Sequence, residues 1–177
     1  VRFMKELLFD QIDILPSNCH IPDGTLTKKQ ISKYCAEYEQ KIESLGGIDL
    51  QILGIGGNGH IGFNESGSLQ NSKTRLVALD HITRVAASKD FSGLSNTPRT
   101  AITIGVKQIM EAKRVILMAW GEGKSNIIAA SAEGEVTNKV PASFLQEHDN
   151  VVFVIDKAAA KKLTRIMTPW LVEQVEW

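Results

Sequence analysis

Very little in this sequence pulls toward a partner of one charge. Twenty Lys and Arg balance twenty Asp and Glu across 177 residues, so no whole-chain field draws the protein to nucleic acid or to an acidic membrane. A local basic site for an anion is still allowed. Cysteine is nearly absent: Cys19 and Cys35 stand in unrelated contexts and form no CxxC pair. That favours structural thiols in a reducing compartment over a disulfide scaffold or a zinc site, with the cytoplasm as the expected location. No apolar run approaches the roughly 20 residues needed to cross a bilayer, so no membrane partner is expected. Internal repeats and low-complexity tracts are missing as well. No His, Asp or Glu cluster has ligand spacing, and no metal is expected.

What is present is an ordinary globular composition, 43% hydrophobic and 23% charged, in a chain long enough for one well-filled core. The first residues, Val1-Arg2-Phe3-Met4, are neither a signal peptide nor an ordinary start, so the sequence is expected to begin inside a longer protein. Residues 1–9 have the mixed spacing of a helix end, and a short extended piece follows from Ile12 to Leu15. Pro16 to Gly24 is dense in loop residues. Thr27 is placed to cap a helix over about 28–45, in which Ile31, Tyr34, Cys35, Tyr38 and Ile42 recur at helical spacing, and Gly46-Gly47 ends it. The short apolar run at 48–55 reads as a buried strand. Further strands are expected at 74–79, 100–104, 114–120 and 150–155, with helices at 81–89, 105–111, 123–133 and 157–164. Strands separated by helical patterns give α/β architecture with a mostly parallel sheet. Ligands of such sheets gather beyond the carboxyl ends of the strands, which here means the loops 54–67 and 121–124.

The first of these loops carries the densest chemistry. Gly54-Ile55-Gly56-Gly57-Asn58-Gly59-His60-Ile61-Gly62-Phe63-Asn64-Glu65 places five glycines in nine positions directly after a buried strand, which lets the backbone turn sharply and approach a ligand. A dinucleotide fingerprint can be laid on Gly54, Gly56 and Gly59. It fails because His60 and Phe63-Asn64-Glu65 follow in place of a long apolar helix, and no acidic residue waits to hold a ribose. An imidazole that shuttles protons needs a partner to fix its tautomer, and Glu65 lies within reach of His60 across a tight turn with Asn58 alongside. A histidine held only by backbone carbonyls is the plain alternative.

The run LGIGGNGHIGFNESGS resembles the signature of the glucosamine-6-phosphate deaminases, also called glucosamine-6-phosphate isomerases. The resemblance continues through TRLVALDHITRVAAS, AITIGVKQIMEAKRVILMAWGEGKSNIIAASAEG and PASFLQEHDNVVFVID, and so covers nearly the whole chain in order. It implies a modified Rossmann-like, doubly wound sheet flanked by helices. It also implies conversion of glucosamine 6-phosphate to fructose 6-phosphate and ammonia in amino-sugar catabolism. On this resemblance His60 assists opening of the sugar ring, and Glu65 and Asn58 orient it, although many members carry aspartate where this chain has Asn58. The glycines Gly56, Gly57 and Gly59 line the substrate. Lys124, in Gly121-Glu122-Gly123-Lys124 at a helix start, matches one of two basic residues that grip the substrate phosphate, and Lys89 falls where many members have arginine. No cofactor is implied. Residues 79–99 resemble a lid that closes over the sugar. Ser68 and Arg75 match parts of an allosteric site of some bacterial relatives, whereas Val77 and Ala78 replace polar positions of it.

The family pattern also has a first strand, a phosphate-binding loop and an acidic base for the C2 proton that would precede Val1. The expected organisation is therefore a deaminase-like domain over 1–167, incomplete at its front, and a tail over 168–177 that leads to a further module. The 177 residues alone are expected not to complete the isomerisation. Two rival readings stay open: a 6-phosphogluconolactonase-like hydrolase and a non-catalytic sugar-phosphate sensor domain. Glucosamine and galactosamine substrates are not distinguished, and members range from monomers to hexamers, which leaves a homo-oligomer open.

Overall fold

The computed structural model describes residues 2–165. The tail expected over 168–177 lies outside the described residues. A short helix α1 (Arg2–Leu7) opens the fold, and two 3-10 turns follow, at Phe9–Gln11 and Pro16–Asn18. Ile12 to Leu15 is extended at its ends but pairs with no strand. The long helix α2 (Lys28–Ser44) starts at Thr27, whose backbone N–H and hydroxyl both donate to the Gln30 side chain at 3.1 and 2.6 Å. It ends at Gly46 and Gly47, both at positive φ, where the amides close back on Glu43 and Ile42. Its buried face repeats every four residues as Ile31, Cys35 and Glu39. Glu39 accepts the backbone N–H of Thr74 and so fastens α2 to the strand that begins at the next residue.

The strands are β1 (Gln51–Gly54), β2 (Arg75–Ala78), β3 (Thr100–Thr103), β4 (Val115–Ala119) and β5 (Val151–Ile155), with helices α3 (His81–Ala87), α4 (Val106–Met110) and α5 (Ser125–Ala132) between them. β1, β4 and β5 form a parallel sheet in the order β1-β4-β5, with Leu53 opposite Leu117 and Leu117 opposite Phe153. β4 is central, and its side chains alternate in burial as a strand of that position requires: Val115, Leu117 and Ala119 are buried on one face. Ile109 of α4, Ile128 of α5 and Leu145 of the 3-10 segment Pro141–Glu147 close that face into the core. The opposite face is apolar yet open: Ile52 of β1 and Val152 and Val154 of β5 are exposed.

Three expectations are corrected. β2 and β3 do not join the parallel sheet but form a separate antiparallel ribbon, Arg75 opposite Thr103 and Ala78 opposite Thr100. The helices over 81–89 and 123–133 begin or end in 3-10 turns, at Ser88–Phe91 and Glu122–Lys124. The segment 157–164 is a run of turns rather than a helix. There the Asp156 carboxylate takes the Ala159 N–H at 2.7 Å while Glu133 takes the backbone N–H groups of Thr164 and Arg165, so side chains satisfy amides that a helix would pair internally. Among the described residues no helix is long and apolar enough to cross a membrane, and no group of three His, Cys, Asp or Glu could hold a metal.

Candidate active site

β1 and β4 run parallel, so their carboxyl ends open on the same edge of the sheet, and the loops 54–67 and 121–124 meet there. The first loop folds on itself: Gly56 N–H donates to the His60 carbonyl at 3.0 Å and Gly59 N–H to the Gly56 carbonyl at 3.1 Å. Gly59 holds φ +82°, and a side chain there would strike Val140 and Ile127. At Gly56 the volume that a β-carbon needs is filled by the His60 imidazole. The loop is pinned from below by Asn64, which is fully buried. Its amide donates to the Ile61 and Ile104 carbonyls at 3.0 and 2.9 Å, and its oxygen accepts from Arg75 Nη1 at 2.9 Å.

On this frame His60 Nδ1 stands 3.0 Å from Glu65 Oε2, with both side chains largely shielded from solvent. Asn58 completes the turn, its oxygen accepting the His60 backbone N–H at 3.2 Å and its amide donating to Glu65 Oε2 at 2.8 Å. Two residues from outside the loop reach the same carboxylate. Thr83 Oγ1 donates to Glu65 Oε1 at 2.7 Å, and the Asp80 N–H reaches the same oxygen at 3.3 Å. Both oxygens of Glu65 are therefore met by two donors each. Burial pushes the Glu65 carboxyl up, but Thr83, Asn58, His60 and the Asp80 N–H together outweigh it and hold the group below its ordinary value. Glu65 is thus an anion committed to orienting its neighbours. His60 Nε2 has no hydrogen-bond partner among the described residues, which leaves that nitrogen free to accept or give a proton at the sheet edge.

Lys124 closes the 3-10 turn that leads into α5, and its Nζ donates to the Ile55 carbonyl at 2.7 Å. The turn itself is held by Asp156, whose two oxygens accept the Gly121 N–H at 3.1 Å each. The structure thus brings Gly56, Gly57, Asn58, Gly59, His60, Glu65 and Lys124 to one edge. Lys89 is not among them: it is exposed on the turn after α3 and makes no hydrogen bond or ion pair to any of these residues. Asp80 and Thr83 were not singled out from the sequence, which marked their segment only as part of a lid. Beside the site, Phe63, Ser68, Arg75 and Val77 line a cleft of about 470 Å³, where Arg75 Nη2 donates to Ser68 Oγ at 3.0 Å. Burial lowers the Arg75 pKa from its ordinary value.

Residues 1–154 match the family model described as glucosamine-6-phosphate isomerases/6-phosphogluconolactonase. The chain belongs to that family. It is 47% identical over 161 residues to a glucosamine-6-phosphate deaminase of Halothermothrix orenii, a match that covers 91% of this chain and 66% of the relative. A glucosamine-6-phosphate deaminase-like protein of Bacteroides thetaiotaomicron is 51% identical over 98% of this chain, which is 26% of that protein. Among solved structures, a monomeric glucosamine-6-phosphate deaminase superposes with a TM-score of 0.86 at 38% identity, over 90% of this chain and 66% of its own. A 6-phosphogluconolactonase of Thermotoga maritima superposes with a TM-score of 0.61 at 24% identity, over 88% of this chain and 64% of its own, and shares the fold. The chain thus spans about two thirds of the length of the deaminases it matches, and about a quarter of the Bacteroides relative.

Proposed function

We propose that this chain carries the ring-opening half of a glucosamine-6-phosphate deaminase site, in a protein that converts glucosamine 6-phosphate and water to fructose 6-phosphate and ammonia. The observation that carries the reading is the His60–Glu65 pair at 3.0 Å, placed at the carboxyl edge of a parallel sheet with Nε2 unpartnered. In this reading His60 Nε2 takes the proton of the sugar O1 hydroxyl and returns it to the ring oxygen, which opens the ring. Glu65 stabilises the imidazolium formed in between, and Asn58 holds Glu65 in place. Glu65 is saturated by its donors, so the base that moves the C2 proton is a different group.

Lys124 supplies the positive charge for the substrate phosphate. A cation at the start of α5 lies against the positive end of the helix, an arrangement that an incoming anion relieves. The higher identity to deaminases than to lactonases of the same family, 38% against 24% among the two solved structures compared, supports the amino-sugar substrate.

The test uses the protein that carries this site together with the C2 base, and measures ammonia and fructose 6-phosphate from glucosamine 6-phosphate, with lactone hydrolysis as the counter-assay and His60→Asn as the control. Ammonia release that disappears in the control supports the reading. Lactone hydrolysis without ammonia release transfers the chain to the hydrolase branch. Binding of the sugar phosphate with neither reaction makes it a sensor domain.

A further inference from the structure

Asp80, at the N-cap of α3, and Thr83, in its first turn, reach into the His60 loop, and nothing in the helix itself requires them to. Thr83 is 7% exposed, and its hydroxyl lies 2.7 Å from Glu65 Oε1 and 3.3 Å from His60 Nδ1. A hydroxyl has one proton, and the carboxylate has none to give, so the proton goes to Glu65. The lone pairs of Thr83 then face Nδ1, as Glu65 Oε2 does at 3.0 Å. Two acceptors converge on Nδ1 and no donor does, so that nitrogen carries the hydrogen and Nε2 keeps its lone pair. One residue turn earlier, Asp80 adds its N–H to Glu65 Oε1 and accepts from Asn58 Nδ2 at 3.3 Å. The Asn58 amide thereby stands between two carboxylates, Glu65 and Asp80, and donates to both.

We propose that Thr83 is a positioning residue through which the seating of α3 sets the orientation and ionisation of Glu65, and through Glu65 the tautomer of His60. The contacts are directional. With α3 in place, Oε1 is held by the hydroxyl and by Asp80 N–H, which turns Oε2 to the imidazole. With α3 lifted, Glu65 loses both donors on Oε1 and keeps only the two from its own loop. The charged or titratable groups that face Glu65 are His60 from the same loop and Asp80 from the start of α3, and Arg75 of β2 lines the adjoining cleft. The coupling between Thr83 and Glu65 is read from these contacts and does not depend on the function proposed above.

The experiment is a carboxyl-carbon NMR titration of Glu65 in the full chain, with no substrate present, so that it reads the coupling whether or not ammonia is released. Removing a donor from an ionised carboxylate raises its pKa, and Thr83→Val is expected to move the Glu65 midpoint up by about one pH unit. Thr83→Ser restores the midpoint, and the circular dichroism spectrum and melting temperature of the variants stay close to those of the parent chain, which a general loss of structure would not allow. Should the valine variant fail to fold, Thr83→Cys keeps the side-chain size with a weaker donor and moves the midpoint in the same direction. A midpoint unchanged in the valine variant, or in the cysteine variant where valine does not fold, overturns the proposal.

Discussion

Lys124 Nζ donates to the Ile55 carbonyl oxygen at 2.7 Å, which ties the turn before α5 to the exit of β1 a few residues ahead of His60. A lysine anchored on a neutral carbonyl is positioned without being neutralised. Lys124→Ala is expected to weaken binding of glucosamine 6-phosphate by about tenfold or more, the loss of one charge-assisted hydrogen bond to phosphate. Calorimetry checks this, with fructose 6-phosphate as a second ligand. If affinity holds while the melting temperature falls, Lys124 serves only to clamp the two loops.

His60→Asn removes the free Nε2 and keeps a polar group close to the position of Nδ1. In the protein that carries this site together with the C2 base, turnover of glucosamine 6-phosphate is expected to fall by about 10²- to 10⁴-fold, the usual contribution of a placed acid–base group, with little change in KM. Steady-state ammonia release reads the effect. A loss confined to KM would assign His60 to binding instead.

Glu65 gives a stability signature with a definite sign. Its folded pKa lies below the ordinary value of 4.5, so it contributes stability fully above that value and loses it as pH falls through the folded pKa. Glu65→Gln is expected to be about 2 kcal/mol less stable than the parent chain near pH 7, because four donors lose an anionic acceptor. The gap narrows as the pH falls below 4.5 and through the folded pKa. Urea denaturation at the two ends of that range measures it, and a gap that widens toward acid contradicts the assignment.

Leu117 sits at the centre of the middle strand, fully buried and flanked in register by Leu53 and Phe153. Leu117→Ala is expected to destabilise the chain by about 2–5 kcal/mol through lost burial and an unfilled cavity. Denaturant melts give the value. The dihedral and hydrogen-bond frame of the His60 loop is independent of this side chain, so ligand affinity in the folded fraction is expected to survive.

Much of this architecture was readable from local pattern. The alternation Val115, Leu117, Ala119 marks a central strand, and Thr27 with Gly46-Gly47 brackets α2, because these signals act over a few residues. The His60–Glu65 pair was readable for the same reason: five residues separate the partners across one turn. Failures occurred where distant chain segments decide. Lys157 to Thr164 has the alanine content of a helix, yet its amides are claimed by Asp156 and by Glu133, which is more than thirty residues earlier. The ribbon of β2 and β3 takes its antiparallel sense from pairing across the intervening α3 segment. Thr83 and Asp80 carry no local mark, since a threonine in a short helix gives no sign of the carboxylate it meets fifteen or more residues away. Lys89 illustrates the converse, a residue placed by resemblance that the fold leaves at the surface.

The imidazole of His60 occupies the space where residue 56 would otherwise place a side chain. Positions 56 and 60 therefore cannot vary freely of each other: as long as 60 is histidine in this pose, 56 is confined to glycine. A lineage that abandoned the histidine for a small residue would be released to accumulate side chains at 56. Once it had done so, the return path to histidine would be closed until glycine was regained first. The bare backbone at 56 thus acts as a ratchet on the history of the sequence, and its loss in any descendant would record that this pose of residue 60 had already been given up.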